Sequence, residues 1–372
     1  MTRVSNARVL IAGGGIGALA GALALREYAP SGVGLTLLAP GPDLVLVPET
    51  VLEATGGPPA GRYSLGAIAA DLAADLVRDV LEAVDTEQQH AGTRESGLLG
   101  YDALLIAVGA RPGPGVPGAL RFAGARDAAA LRAALESLGP RPRVLFTTGA
   151  GVGWTLPLYE LALLTAARHP EASVAVATPE PRPAAVFGAA AGREVTRRLM
   201  EAGIDLRAGV LPESAEDGAL WLAEGGSIKA DLVVALPQPA GPGIAGLPAD
   251  AHGFLPVDRY GHVKGADRVW AAGDATARPL KQGGLAAQQA DVAARSIAAE
   301  LGGHIVPIPY EPALRGVLMT GDAPRFLRRS ALSSVPSAAS RSPLWSAPGK
   351  VADGRVALYL AAHESFRVVA TG

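Results

Sequence analysis

The 372 residues contain no cysteine. A redox dithiol, a cysteine persulfide, an Fe–S cluster and a thiolate nucleophile are therefore excluded, and no disulfide-forming compartment is implied. Lysine is nearly missing as well. Lys229, Lys264, Lys281 and Lys350 are the only ones, and arginine carries the remaining positive charge, which we read as a genomic base-composition bias. The net charge of −2 provides no general attraction for nucleic acid. Long apolar runs are also lacking. Val9–Leu25 is broken by five glycines and Leu232–Ala249 by four prolines, so neither reads as a signal peptide or a bilayer span, and a soluble, cytoplasmic protein is expected. The six histidines show no metal-ligand spacing, and there is no G-x-S-x-G elbow or P-loop lysine. Metal, hydrolase and NTPase readings thus have no support.

Two glycine-rich segments carry the positive information. The first follows the apolar run Arg8–Ala12 and reads Gly13-Gly14-Gly15-Ile16-Gly17-Ala18. Gly13, Gly15 and Ala18 fit G-x-G-x-x-G/A. Gly13 suits the tight turn, Gly15 lets backbone approach a pyrophosphate, and Ala18 permits close packing of helix on strand. The helix predicted through Leu19–Tyr28 would present its N-terminal N–H groups to that anion. The strand Gly34–Leu38 should end in an acid for the adenosine ribose, but it runs into Ala39-Pro40. The second segment is Val269-Trp270-Ala271-Ala272-Gly273-Asp274-Ala275-Thr276, leading to Lys281-Gln282-Gly283-Gly284 and a helix predicted at Leu285–Leu301.

Between these segments, strands and helices alternate. A loop is expected at Pro40–Tyr63, a linker at Pro112–Gly118, and a helix at Ala128–Leu138 capped by Asp127. Further on come a strand at Arg143–Thr148, a helix at Leu158–Arg168, a strand at Ser173–Ala177 and a hairpin around Gly225-Gly226. Such alternation predicts α/β architecture with parallel sheets. Arg325–Pro343 reads as loop. Residues 306–372 hold eight Lys/Arg against four Asp/Glu. That is a solvated basic face on the plain reading, or a surface weakly drawn to an anionic membrane.

In order along residues 1 to about 305, the chain resembles the FAD-dependent pyridine nucleotide–disulfide reductase superfamily, and within it the branch of type II NADH dehydrogenases and sulfide:quinone oxidoreductases. The residues that carry the likeness are the front glycines, Tyr101-Asp102 through Ala107-Val108-Gly109-Ala110-Arg111-Pro112, and Val269–Thr276 with Lys281–Gly284. The resemblance implies two Rossmann-like dinucleotide-binding domains, the second inserted in the first, plus a short irregular C-terminal region. The FAD-binding domain would be 1–112 with 241–305, the NAD(P)-binding-like domain 113–240 and the C-terminal region 306–372. It also implies FAD held by Gly13, Gly14, Gly15, Ile16, Gly17, Ala18, Gly109, Arg111, Gly273, Asp274, Lys281, Gly283 and Gly284. Asp274 would accept from a ribityl hydroxyl, or else serve as a turn or helix-cap residue, and Lys281 would favour reduction of the flavin, or else be a plain surface lysine.

The second domain departs from the family. Trp154 stands in the third small position of Gly149-Ala150-Gly151-Val152-Gly153-Trp154, where it would hold helix from strand and cover a pyrophosphate site. Pro157-Leu158-Tyr159-Glu160 resembles the matching turn of sulfide:quinone oxidoreductases, without their cysteine. Glu160 is then a proton donor or acceptor beside the flavin, or else a plain helix-surface glutamate. The leading expectation is an FAD oxidoreductase passing two electrons to a quinone-like or other small organic acceptor. The alternatives are an NAD(P)H dehydrogenase and a non-catalytic flavin- or nucleotide-binding protein. Peripheral membrane contact and oligomeric state stay open.

Overall fold

The computed structural model describes residues 7–330, 337–347, 349–351 and 354–368. Two parallel five-stranded sheets form its frame. In chain order their strands are β1 (Arg8–Ala12), β2 (Gly34–Leu38), β3 (Ala74–Val77), β4 (Ala103–Ile106), β5 (Leu120–Arg121), β6 (Arg143–Thr148), β7 (Ser173–Thr178), β8 (Asp205–Ala208), β9 (Leu232–Leu236) and β10 (Val269–Ala271). The first sheet runs β10-β4-β1-β2-β3, and the second β5-β9-β6-β7-β8. Their central strands are continuous apolar runs, as burial on both faces requires. Val9, Ile11, Leu104, Leu105 and Ile106 are all fully buried. The first sheet therefore draws its strands from 8–106 and 269–271, while the second uses only 120–236.

The helices are α1 (Ile16–Tyr28), α2 (Thr50–Ala54), α3 (Leu65–Asp71), α4 (Ala125–Glu136), α5 (Leu156–Arg168), α6 (Ala189–Glu201), α7 (Gly283–Glu300) and α8 (Gly354–Ala362). α1 and α7 pack together over the first sheet through small residues, among them Ala20, Ala24, Ala290, Ala293 and Ala294. A Cβ on Gly21 would come within 2.5 Å of Leu105 Cδ2, so glycine is what lets α1 lie this close to the sheet. α5 and α6 share a second core with Phe146, Val176 and Phe187. A third, antiparallel sheet of β11 (Ala313–Leu318), β12 (Arg325–Ser330) and β13 (Ala338–Ser340) adds Leu314, Leu318 and Leu327 to that second core.

The sequence expectations need correction in three places. Arg325–Pro343 contains β12 and β13, although its Arg and Ser content hid them; residues 331–336 lie outside the described set. The 40–63 stretch contains a short strand, Asp43–Val45, and α2. Asp127 lies inside the first turn of α4, which begins at Ala125, and its carboxylate accepts from Ala123 N at 2.7 Å. The hairpin at Gly225-Gly226 is present, between strands 219–222 and 227–229. Among the described residues no helix is long and apolar enough to cross a membrane.

Candidate functional site

A cavity of about 480 Å³ opens where the N-termini of α1, α5 and α7 converge. One end is the front glycine turn. Gly13 has φ +139°, and its N–H donates to Leu38 O at 2.8 Å. A Cβ there would stand 2.2 Å from Ala107 O. Gly15 caps α1 and faces open space, with nothing within 4 Å of a built Cβ. An unobstructed helix N-terminus of this kind fits an anion. Gly14, Gly15, Ile16 and Gly17 line the cavity, whereas Gly13 and Ala18 stand behind its wall. Gly15→Val is therefore expected to leave the melting temperature of the flavin-free chain unchanged. FAD affinity should fall by at least about tenfold, as read by fluorescence titration.

The middle of the cavity is the second glycine segment. Gly273, Asp274, Lys281 and Gly283 line it, as do Gly109 and Arg111; Gly284 is outside the lining. Asp274 Oδ1 is buried and has no donor among the described residues. Burial pushes the Asp274 carboxyl up to about 6, although the Lys281 charge and the Gln282 amide pull it down. Burial likewise pushes Lys281 down to about 8, against the pull of Asp274 and Asp250. Lys281 Nζ donates to Thr276 O at 2.5 Å and sits 3.6 Å from the centre of the Phe254 ring. Its charge is thus fixed beside the cavity by backbone and ring. α7 starts here because the Gln282 side chain accepts from Leu285 N at 2.8 Å.

At the far end, Glu160 belongs to the fully buried face of α5 and is 1% exposed; it is not a surface glutamate. Its Oε1 accepts from Met319 N at 2.8 Å and from Lys350 Nζ. Lys350 also donates to Val317 O at 3.0 Å. Burial pushes the Glu160 carboxyl up, while Lys350 and the Met319 amide hold it down. Glu160, Lys350, Trp154, Gly316 and Val317 all line the cavity. Sequence reasoning passed over Lys350. The one available signal was its rarity, a lysine in a chain that otherwise uses arginine.

The glycine turn between β6 and α5, Gly149 to Gly153, is built differently from the one before α1. Glu180 follows the end of β7, where an acid in such units takes ribose hydroxyls. Here it accepts from Tyr159 Oη at 2.5 Å, Thr155 Oγ1 at 2.7 Å and Ala185 N at 3.1 Å. Tyr159 is fully buried, and burial together with Glu180 pushes its hydroxyl pKa far up. Trp154 packs against Phe187, ring centres 5.5 Å apart. A Cβ on Gly153 would lie 2.5 Å from Pro279 O. Among the described residues no group of three or more His, Cys, Asp or Glu could hold a metal ion.

The family model for pyridine nucleotide-disulphide oxidoreductases matches residues 7–295. No curated protein sequence matches the chain. Among solved structures, the sulfide:quinone oxidoreductase of the hyperthermophilic bacterium Aquifex aeolicus superposes with a TM-score of 0.80 at 20% identity, covering 97% of this chain and 90% of that one. A ferredoxin reductase from Rhodopseudomonas palustris gives 0.67 at 22%, covering 88% and 83%. A NAD-dependent persulfide reductase from A. fulgidus gives 0.66 at 19%, covering 86% and 64%. At these identities the likeness is one of fold.

Proposed function

The chain belongs to the pyridine nucleotide-disulphide oxidoreductase family and is an FAD-dependent oxidoreductase; on that premise we propose that it passes two electrons to a quinone-like or other small organic acceptor, without a redox disulfide. In this reading residues 1–112 and 241–305 form the cofactor unit, 113–240 the inserted unit and 306–372 a C-terminal region. The cavity fits FAD by two features. Asp274 Oδ1 is a buried acceptor in need of a donor, as a ribityl hydroxyl would supply. The Gly15 turn leaves room at a helix N-terminus, as a pyrophosphate requires. One part of the fit is weaker. Ala39 is buried and its N–H is spent on Val77 O at 3.0 Å, so no carboxylate stands at the end of β2 for the adenosine ribose. Gly14, Gly15, Ile16, Gly17, Asp274 and Gly283 would hold the cofactor together with Gly109 and Arg111, and Gly13, Ala18 and Gly284 lie outside the lining. When bound, FAD supplies the two-electron step.

The chain's own contribution is positioning and proton management. Lys281, fixed against Phe254 and Thr276 O, places positive charge beside Asp274. Glu160 and Lys350 hold a transferable proton between Oε1 and Nζ at the cavity wall. That pair is the observation that carries the reading: a chain without cysteine has a buried acid–base couple facing its cofactor cavity. Val317, Trp154 and Pro157 enclose the same end and would exclude water from a flat, apolar acceptor.

The donor is the open choice. Because Thr155 and Tyr159 already occupy Glu180, a reduced organic donor is favoured over a nicotinamide dinucleotide. The NAD(P)H reading keeps one observation on its side, since Gly149 in the turn before α5 faces open space. Anaerobic mixing of the flavoprotein with NADH, NADPH or a hydroquinone separates the two. We expect slow or no bleaching of the visible flavin band by either nucleotide, and reoxidation of chemically reduced enzyme by a soluble quinone. Prompt bleaching by a nicotinamide nucleotide would overturn the preference. A flavin inert to every donor and acceptor would point to a non-catalytic binding protein.

A further inference from the structure

The basic excess of the last 67 residues (306–372) resolves into two kinds of cation. Arg325, Lys350, Arg355 and Arg367 each have an acid partner: Glu194, Glu160, Glu27 with Asp291, and Glu364. The other four have no carboxylate within ion-pair distance among the described residues; Arg329 and Arg341 are exposed, which leaves Arg315 and Arg328. They stand directly opposite each other on antiparallel β11 and β12, which sets their Cβ atoms about 5 Å apart. Both are half-buried. The next pair on the same face is Val317 with Phe326, and Val317 is part of the cavity wall. Trp345 lies edge-on to Phe326 at 5.6 Å.

Three N–H groups against this face, Nε of Arg315, Nε of Arg328 and Nε1 of Trp345, are buried with no acceptor among the described residues. Among the described residues Arg328 Nη1 reaches only the Leu344 carbonyl, at a long 3.5 Å. Two like charges set opposite each other repel, and buried donors without acceptors are disfavoured. One oxyanion would answer both, because a guanidinium fork matches two oxygens of the same anion.

We propose that Arg315 and Arg328, with Trp345 beside them, form an oxyanion-binding subsite next to the cavity for a phosphate-bearing ligand. The proposal does not depend on the identity of the donor or acceptor. The phosphate can belong to a soluble molecule or to a lipid headgroup, and the test distinguishes them. Inorganic phosphate is titrated calorimetrically into the purified flavoprotein at constant ionic strength. In parallel, the flavoprotein is sedimented with phosphatidylglycerol or phosphatidylcholine vesicles. Arg315→Gln and Arg328→Gln are expected to weaken phosphate binding by about tenfold each. Arg341→Gln, on an exposed residue just past β13, should leave it unchanged. Binding confined to phosphatidylglycerol vesicles, and lost in the same two variants, would assign the subsite to a lipid headgroup. Absence of both kinds of binding, or equal binding by wild type and both Gln variants, overturns the proposal. Should either Gln variant melt early, Arg328→Lys keeps the charge but not the fork, and should still bind phosphate several-fold more weakly than wild type.

Discussion

Lys350→Met should destabilise the folded chain by about 3–5 kcal/mol near neutral pH, because it strips a buried carboxylate of its counter-charge. Glu160 is 1% exposed and the Lys350 side chain 9%, so solvent screening offers little relief. The loss should depend on pH with a definite sign. In the variant only the Met319 amide opposes burial, and the Glu160 pKa rises further above its unfolded value. Below the unfolded pKa the carboxyl is protonated in both states, and the variant should lie close to wild type. As pH rises toward the folded pKa the unfolded state gives up its proton first, and the deficit grows. Urea denaturation of the flavin-free proteins from pH 4 to 8 measures this. Adding Glu160→Gln to Lys350→Met should recover most of the lost stability, since no buried charge is then left unpaired. A small, pH-independent loss would mean that the pair is more hydrated than its burial indicates.

Asp274→Asn should weaken FAD binding by about ten- to a hundredfold at pH 7, the range for losing a hydrogen bond to a charged group. Its pH dependence identifies the cause. With the carboxyl at about 6 in the flavin-free chain, wild type should bind FAD more tightly as pH rises from 5 to 7 and the carboxylate becomes ionised. The variant should show no such rise. The same shift acts on stability in the opposite sense. The folded pKa lies above the unfolded one, so the flavin-free protein should lose stability as pH rises from about 4 to 6 and then level off. Lys281 adds a second limb. Its pKa is lowered to about 8, so stability should recover as pH climbs from about 8 towards 10. Equilibrium dialysis and thermal melts across pH read both effects. An FAD affinity that is flat with pH in wild type would remove Asp274 from the cofactor site.

How much of this was readable beforehand depended on how local the signal was. The glycine turn before α1 was legible because each residue answers to a local demand: φ +139° at Gly13 and open space at Gly15. The strand at 269–271 and the turn after it were legible for the same reason. β12 was not. Its Arg325-Phe326-Leu327-Arg328-Arg329 pattern lacks clean alternation, because Arg325 is buried against Glu194 and not turned to solvent. Glu160 could be nominated from the sequence, but not its burial, since that depends on Lys350 arriving from 190 residues away. The self-occupied Glu180 was hidden too, because hydroxyls on α5 or at its start take the place a ribose would fill.

The order in which the sheets recruit their strands bears on biogenesis. Every strand of the second sheet lies within 120–236, and these can pair as soon as that stretch has left the ribosome. The first sheet must wait for Val269–Ala271, the cavity for the start of α7, and Glu160 for Lys350. Synthesis therefore delivers all five strands of the second sheet before the last strand of the first, while the second core still awaits Leu285, Leu314, Leu318 and Leu327. Four of the five strands of the first sheet precede the second sheet in the chain and one follows it, so the cofactor chamber closes only across the whole middle stretch, a non-local step that carries a larger loop-closure cost than pairing within 120–236.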